Sequence, residues 1–319
     1  MLRCVALDDY LDVAGKFGGW DRLKGRVELQ SVTEYIADRE ALVKALKGAD
    51  IVIAMRERTP FDRALLERLP DLKLLITTGM KNAAIDMQAA AERNLPVCGT
   101  ESSAGATAEL TWGLILALMR HIPLESQSFK NGGWQTTVGR EVSGRRLGVI
   151  GLGKLGSRVA KAGLAFGMKV SAWSRNLTAE RCKEVGVEQA GSLDALLQSA
   201  DIATIHLVLS DRTRGLIGAR ELGLMKRDAL LVNTSRGPIV DEGALVAALT
   251  EKRIGGAGLD VFDREPLPAS HPFRTLGNVI ATPHLGYVTE EAYRLFYGQS
   301  VENIEAWLAG KPVRVLGAA

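Results

Sequence analysis

The 319-residue sequence predicts an α/β protein built from two doubly wound parallel sheets. Short apolar runs alternate with helix-like segments along most of the chain, as in parallel sheets that are covered by helices on both faces. The length exceeds one ordinary domain and suits two. A glycine-rich turn, Gly151 to Gly156, lies between an apolar run and a helix-like segment in the second half.

The first series of strand-like runs occupies the first third of the chain. It comprises Leu2 to Leu7, Val27 to Leu29, Ile51 to Ala54, Leu72 to Ile76 and Leu95 to Cys98. Helix-like segments such as Arg39 to Leu46 and Phe61 to Leu69 separate them. This series predicts a five-stranded parallel sheet.

The second series predicts another sheet, of about six strands. Its runs are Leu147 to Ile150, Met168 to Trp173, Ile202 to Leu207, Ala229 to Val232, Gly256 to Val261 and Val279 to Ala281. The apolar segment Ala106 to His121 predicts a long buried helix, and an amphipathic run from Thr289 is expected to return to the first sheet. We therefore predict one domain from residues 1–102 and 287–319, with residues 103–286 inserted as a second domain.

Composition excludes several classes of protein. Forty basic and 37 acidic side chains leave a formal charge of only +3, so no strongly basic face for nucleic acid is expected. Three widely separated cysteines argue against a disulfide framework or a zinc site, and we predict a reducing cytoplasm and no metal. The N-terminus does not resemble a secretion signal, and Leu110 to Met119 is shorter than the roughly 20 residues of a membrane span.

The glycine-rich turn predicts a dinucleotide site. Gly151, Gly153 and Gly156, with Lys154 and Leu155 among them, match the G-x-G-x-x-G pattern of a Rossmann domain. Glycines permit a tight turn and a close approach of backbone to a pyrophosphate, and the following helix N-terminus favours negative charge. Residues 103–286 are therefore predicted to be a Rossmann domain.

The end of the next strand indicates which dinucleotide is bound. NAD is usually held there by an acidic residue that binds the ribose 2′-hydroxyl. This sequence has Ser174 and Arg175 instead, which can donate to and pair with a 2′-phosphate. We favour NADP over NAD, and NAD remains open because an arginine after a strand is often only solvated.

Three ionisable residues, Arg236, Glu265 and His284, each follow a strand-like run. Strand ends of a parallel sheet can converge on one crevice. A histidine is the natural proton donor near neutral pH, and a neighbouring carboxylate favours its imidazolium form. An arginine can bind a substrate carboxylate in bidentate fashion. The set therefore suits hydride transfer between a dinucleotide and a small keto or hydroxy acid.

The chain resembles the D-isomer-specific 2-hydroxyacid dehydrogenase family over almost its whole length. The motifs that carry the resemblance are Gly151 to Gly156, Asn233 to Gly237, Gly258 to Pro266 and Pro283 to Gly286. The family includes glyoxylate and hydroxypyruvate reductases. The resemblance implies a flavodoxin-like substrate domain around the Rossmann domain, with His284 as proton donor and acceptor, Glu265 as its partner and Arg236 as substrate clamp.

The same resemblance implies further contacts. Gly79 and Met80 would offer backbone amides to the substrate carboxylate, and Thr107, Thr234 and Asp260 would touch the cofactor. It also implies a homodimer formed through the region of the Ala106 to His121 helix and the loop with Trp134.

Two alternatives stay open. Arg56 and Arg58 follow a strand of the first domain and are candidates to bind an anionic substrate tail, which would suit a 3-phosphoglycerate dehydrogenase without its regulatory domain. The other alternative is a dinucleotide-sensing binding protein, similar to the transcriptional corepressors that share this architecture.

Overall fold

The computed structural model describes residues 1–103 and 105–317; Ala104 and residues 318–319, which fall within the predicted domain ranges, lie outside the described part. The strands are β1 (Leu2–Ala6), β2 (Val27–Ser31), β3 (Ile51–Ala54), β4 (Leu74–Thr77), β5 (Val97–Gly99), β6 (Arg146–Ile150), β7 (Lys169–Trp173), β8 (Glu188–Gln189), β9 (Ile202–Ile205), β10 (Leu230–Asn233), β11 (Gly256–Leu259) and β12 (Val279–Ala281). The helices are α1 (Ala14–Phe17), α2 (Arg39–Leu46), α3 (Arg63–Glu67), α4 (Met87–Glu92), α5 (Gly105–Arg120), α6 (Ile122–Lys130), α7 (Lys154–Ala165), α8 (Ala179–Val185), α9 (Leu193–Ser199), α10 (Ala219–Leu224), α11 (Glu242–Thr250) and α12 (Glu290–Leu308), with short 3₁₀ turns at Trp20–Leu23, Gly237–Ile239 and Pro272–Arg274.

The chain divides into two compact units. Unit 1 comprises Met1–Ser103 and Val288–Ala319, and unit 2 comprises Ala104–Tyr287. The sheet of unit 1 has the strand order β2-β1-β3-β4-β5, and its strand pairs are parallel. The predicted five-stranded sheet is confirmed, and its order is that of flavodoxin-like folds.

The C-terminal helix α12 belongs to the core of unit 1. Phe296, Tyr297, Val301 and Ile304 on this helix are fully buried. The Asn303 side-chain amide donates to the Gly99 carbonyl of β5 at 2.9 Å. The amphipathic pattern after Thr289 thus reflects a helix that completes the unit formed by the first third of the chain.

The sheet of unit 2 is parallel and doubly wound, in the order β12-β11-β10-β9-β6-β7-β8. It has one strand more than predicted, because β8 consists of two exposed polar residues and carries no apolar run. Strands β9, β10 and β11 are buried at every position, as expected of central strands covered on both faces. This is the Rossmann order, and its topological switch point lies between β6 and β9.

The predicted long helix is confirmed as α5, displaced by one residue at each end. Seven of its residues, among them Trp112 and Ile115, are buried within unit 2. Helix α6 was not predicted, because it buries none of its residues and lacks an apolar stripe. Exposed apolar side chains are concentrated in and just after α6, at Ile122, Leu124, Phe129, Trp134 and Val138. Among the described residues, no helix is both long and apolar enough to span a bilayer.

Candidate active site

The glycine loop lies at the switch point of unit 2. Gly151 has φ of 103°, and a Cβ there would lie 2.6 Å from the carbonyl oxygen of His206 at the end of β9. A Cβ on Gly156 would lie 1.9 Å from the carbonyl oxygen of Gly151. Backbone packing therefore requires the first and third glycines. A Cβ on Gly153 would meet no atom within 4 Å, so the second glycine borders open space, as a phosphate cradle requires.

Helix α7 starts at Lys154 and has Gly153 as its N-cap, with no side-chain hydrogen bond at the cap. Lys154 is exposed and Leu155 is half-buried. The first turn of a helix carries backbone N–H groups without intrahelical partners, and these are the donors that bind phosphate. The loop and helix therefore fit the pyrophosphate of a dinucleotide.

Strand β7 ends at Trp173, next to the residues that were predicted to distinguish the two dinucleotides. Ser174 is half-buried and Arg175 is exposed. The Leu177 N–H donates to the Ser174 carbonyl at 3.1 Å, so the chain turns immediately after the strand. Both residues lie just beyond the carboxyl end of β7, and ligands of open parallel sheets bind at the carboxyl ends of the strands.

The structure brings His284 and Glu265 into direct contact. His284 Nδ1 donates to Glu265 Oε2 at 2.5 Å, and Glu265 Oε1 accepts from the Phe262 N–H at 3.0 Å. The side chains of His284 and Glu265 are 17% and 26% exposed. The carboxylate is thus fixed at both oxygens, and the imidazole keeps Nε2 for proton exchange.

Asp260, at the end of β11, holds the loop that carries His284. Its carboxylate accepts from the Leu285 N–H at 2.7 Å, the Gly286 N–H at 2.8 Å and the Thr282 hydroxyl at 2.6 Å. Asp260 is fully buried, and burial raises the pKa of its carboxyl group. His284 has φ of 56°, in the left-handed region, and the Asp260 bonds on either side stabilise this conformation.

Arg236 lies in a tight turn directly after β10. The Asn233 side-chain amide spans this turn, donating to the Arg236 carbonyl at 3.0 Å while its oxygen accepts from the Ser235 N–H at 3.0 Å. A Cβ on the next residue, Gly237, would lie 2.1 Å from the carbonyl carbon of Phe262. The Arg236 turn therefore packs directly on the loop that carries Glu265, so all three predicted residues lie on adjoining loops of unit 2.

Thr107 and Thr234, the other predicted cofactor contacts, are linked through Thr111. The Thr107 hydroxyl donates to the Gly286 carbonyl at 2.7 Å. The Thr111 hydroxyl is 2.7 Å from the Thr107 carbonyl and 2.8 Å from the Thr234 hydroxyl. Sequence reasoning missed Thr111, because a threonine in a long apolar helix gives no signal of its own. These hydrogen bonds connect α5 to the Arg236 turn and to the His284 loop.

The remaining predicted substrate contacts lie in unit 1, after β3 and β4. Gly79 has φ of 120°, and its N–H donates to the Thr100 hydroxyl at 3.0 Å. That donor is therefore already engaged within unit 1. Met80 is 45% exposed. Arg56 Nη1 donates to the Thr78 carbonyl at 3.3 Å, and a Cβ on Gly79 would lie 2.7 Å from the same nitrogen.

Arg58 occupies a different place from Arg56. Its guanidinium lies over the Tyr10 ring, 4.5 Å from the centroid, and donates to the Asp8 carbonyl at 3.3 Å. Burial, and secondarily the Asp8 charge, raise the pKa of Tyr10 to about 12. Arg56 and Arg58 were both predicted to bind an anionic substrate tail. Arg56 lies at the Thr78–Gly79 turn, whereas Arg58 packs on the Asp8–Tyr10 turn.

A second histidine–glutamate pair lies in unit 2. His271 Nε2 is 3.0 Å from Glu242 Oε1, and Glu242 Oε2 accepts from the Asp263 N–H at 3.3 Å. The His271 Nδ1 accepts from the Phe273 N–H at 3.2 Å, so this histidine caps a 3₁₀ turn. Within residues 1–103 and 105–317, no three His, Cys, Asp or Glu side chains form a group that could hold a metal ion.

A glycine cradle at the switch point of a Rossmann sheet, with a histidine–carboxylate pair at the strand ends of the same unit, defines a dinucleotide-dependent oxidoreductase. Residues 112–286 match the NAD-binding domain of the D-isomer specific 2-hydroxyacid dehydrogenases. The chain belongs to the D-isomer specific 2-hydroxyacid dehydrogenase family. Members of this family act on small 2-hydroxy or 2-keto acids with a nicotinamide dinucleotide, and this chain is an oxidoreductase of that class.

Individual relatives agree with this assignment. The chain is 39% identical to a D-3-phosphoglycerate dehydrogenase of Methanocaldococcus jannaschii over 86% of its own length, but it spans only 52% of that relative. It is 40% identical to a glyoxylate reductase of Aeropyrum pernix, over 85% of this chain and 84% of the relative. The crystal structure of a phosphoglycerate oxidoreductase from Vibrio cholerae O395 is 35% identical, with a TM-score of 0.93 over 97% of this chain and 100% of that one.

Proposed function

We propose that this protein interconverts small 2-keto acids and D-2-hydroxy acids, with His284 as the proton donor and acceptor. The observation that carries the proposal is the 2.5 Å contact between His284 and Glu265 at the strand ends of the dinucleotide-binding unit. We assign the cofactor to residues 103–286 and the substrate to residues 1–102 and 287–319.

The bound dinucleotide would supply or accept the hydride. His284 would donate a proton from Nε2 to the carbonyl oxygen during reduction, so that negative charge does not accumulate there. Glu265 accepts a hydrogen bond from Nδ1–H, which fixes the orientation of the ring and stabilises its imidazolium form. In the oxidative direction the same nitrogen would take the proton from the hydroxyl group.

Arg236 is proposed to bind the substrate carboxylate through its planar guanidinium. The Asn233 bonds fix the backbone of its turn, which supports a role that depends on orientation. Gly79 and Met80 are proposed to add backbone donors to the carboxylate, with the Gly79 N–H exchanging its Thr100 bond for the ligand.

The cofactor is proposed to be held by Gly151, Gly153, Lys154, Leu155 and Gly156 at its pyrophosphate and by Thr107, Thr234 and Asp260 at its nicotinamide end. Ser174 and Arg175 support NADP, because a hydroxyl and a guanidinium suit a 2′-phosphate and no acidic side chain stands there to bind a 2′-hydroxyl. NAD remains the alternative.

Glyoxylate and hydroxypyruvate are the proposed substrates to test first. A specific observation favours a second candidate, a 2-hydroxy acid with an additional anionic group such as 3-phosphoglycerate. The Arg56 guanidinium lies at the Gly79 turn, where the substrate carboxylate is proposed to bind. The similarity to a D-3-phosphoglycerate dehydrogenase agrees with this candidate.

We also propose a homodimer in the cytoplasm. Helix α5 buries much of its surface in its own unit, so the apolar surface available to a second copy lies mainly on α6 and the following loop, where Phe129 and Trp134 are 66% and 72% exposed. Cys4, Cys98 and Cys182 are all unpaired and buried, which is compatible with a reducing compartment.

A panel of 2-keto acids, assayed with NADPH and with NADH under identical conditions, tests the proposal. Glyoxylate, hydroxypyruvate and 3-phosphohydroxypyruvate separate the two substrate candidates. Turnover of at least one acid is expected, with a higher kcat/KM for NADPH. No turnover of any acid with either dinucleotide would refute the enzymatic proposal, and a strong preference for NADH would refute the assignment of Ser174 and Arg175.

A further inference from the structure

Arg181, in the first turn of α8, reaches across to the glycine loop. Its Nε donates to the Leu152 carbonyl at 3.3 Å, and its Nη2 donates to the Ser157 hydroxyl at 2.8 Å. The third guanidinium nitrogen, Nη1, pairs with Glu184 at 2.9 Å. These bonds join α8 to a loop that lies more than twenty residues earlier in the chain.

The bonds converge on one peptide group of the loop. The Leu152 carbonyl accepts from Arg181 and also from the Ser157 hydroxyl, at 3.2 Å. The C=O and N–H of a trans peptide point in opposite directions. Fixing the Leu152 carbonyl toward Arg181 therefore directs the Gly153 N–H to the opposite side, and Gly153 borders open space.

We propose that Arg181 is a positioning residue for cofactor binding, which fixes the Leu152–Gly153 peptide so that the Gly153 N–H is oriented toward the cofactor pyrophosphate. This inference rests on the proposed function and extends it to a residue outside the glycine motif. Because NADP and NAD share the pyrophosphate, Arg181 contributes equally to the binding of both. That separates its role from the one assigned to Arg175, which concerns only the 2′-phosphate.

Replacement of Arg181 by methionine tests the inference. The dissociation constants for NADPH and NADH, measured by fluorescence titration without substrate, should rise by the same factor, about 10-fold, as expected for loss of a charge-assisted hydrogen bond. The KM for each dinucleotide should rise in parallel, and kcat should change less than about 2-fold, because Arg181 does not touch the reacting atoms. Ser157→Ala should give a smaller, equally shared rise, and Arg181→Lys should recover part of the loss.

Arg220→Met is the matched control, because Arg220 is also a paired arginine on a helix of unit 2 and contacts Asp194 and Glu221. Unchanged dissociation constants for Arg181→Met would overturn the inference. So would an increase confined to NADPH, or an equal increase for Arg220→Met. Should Arg181→Met not fold, Arg181→Lys and Ser157→Ala carry the test with the same criteria. Failure of the wild-type protein to bind either dinucleotide would instead refute the proposed function.

Discussion

Replacement of Glu265 by glutamine would remove the negative charge beside His284 while keeping a side chain of the same shape. The Glu265 carboxylate accepts hydrogen bonds from His284 Nδ1 at 2.5 Å and from the Phe262 N–H at 3.0 Å. A carboxamide of the same shape has only one acceptor oxygen. In the variant, one of the two donors must therefore face an NH₂ group, and the negative charge beside the imidazole is lost.

The size of the effect follows from the burial of the pair. The His284 and Glu265 side chains are 17% and 26% exposed, so solvent screens the pair only partly. A hydrogen bond to a charged group contributes about 1.5–3 kcal/mol, and each 1.4 kcal/mol in a barrier is about tenfold in rate. The kcat/KM for keto acid reduction should therefore fall about 10- to 150-fold. The steady-state rate of dinucleotide oxidation, followed by its absorbance, measures this change in kcat/KM.

Glu242→Gln provides a closely matched control. Glu242 pairs with His271 at 3.0 Å, and these side chains are 25% and 15% exposed, nearly the same as in the Glu265 pair. The two variants should lower the melting temperature by similar amounts, but only Glu265→Gln should lower kcat/KM by 10-fold or more, as estimated above from about 1.5–3 kcal/mol. An equal loss of activity in both variants, or near wild-type activity in Glu265→Gln, would refute the catalytic assignment.

Three further predictions concern His284, two glycines of the loop and His206. His284→Ala should reduce kcat by about 10²- to 10⁴-fold while leaving the dissociation constant for NADPH within about 2-fold, and retained turnover would place the proton carrier elsewhere. Gly156→Ala should destabilise the protein by about 1–3 kcal/mol in urea unfolding, because its Cβ would overlap a backbone oxygen, whereas Gly153→Ala should be nearly neutral for stability but weaken dinucleotide binding. Burial of the imidazole lowers the pKa of His206 from 6.5 to about 3. The residue is half-buried, and its Nδ1 atom is enclosed. Between pH 6.5 and 3 only the unfolded chain takes up this proton, so the free energy of unfolding decreases as the pH is lowered, by up to about 1.4 kcal/mol per pH unit. His206→Gln should flatten this part of the stability profile. An unchanged slope in the variant would contradict the assignment.

The sequence predicted those parts of the fold that depend on local pattern. Apolar runs bounded by turns located the main strands, and the α/β class with two doubly wound sheets is confirmed. The glycine loop was recognisable because strand, turn and helix are contiguous there. Glu265 and His284 were expected at strand ends that can converge on one crevice, and the structure places the two side chains in contact. Their catalytic roles stay predictions.

Features that depend on tertiary contacts could not be predicted in the same way. The Arg181 bonds to Leu152 and Ser157 join segments whose spacing follows no motif. Strand β8 exists because β7 offers it a partner, since its own residues are polar and exposed. The hydrogen bonds from the loop at residues 282–286 to Asp260 likewise join segments more than twenty residues apart, so the sequence alone does not reveal that Asp260 holds this loop.

Unit 1 is formed by two separate segments of the chain, and this has a consequence for its folding during synthesis on the ribosome. Unit 2 is continuous from Ala104 to Tyr287, so all of its strands have emerged before α12 is made. Unit 1 lacks Phe296, Tyr297 and Ile304 until then, and these side chains are fully buried in its core. Domains generally fold as units, so unit 2 can fold first. Until α12 has been synthesised, the N-terminal segment of unit 1 exposes apolar surface. Chaperone dependence and aggregation during expression should therefore respond to changes in α12 more than to changes of similar size in unit 2.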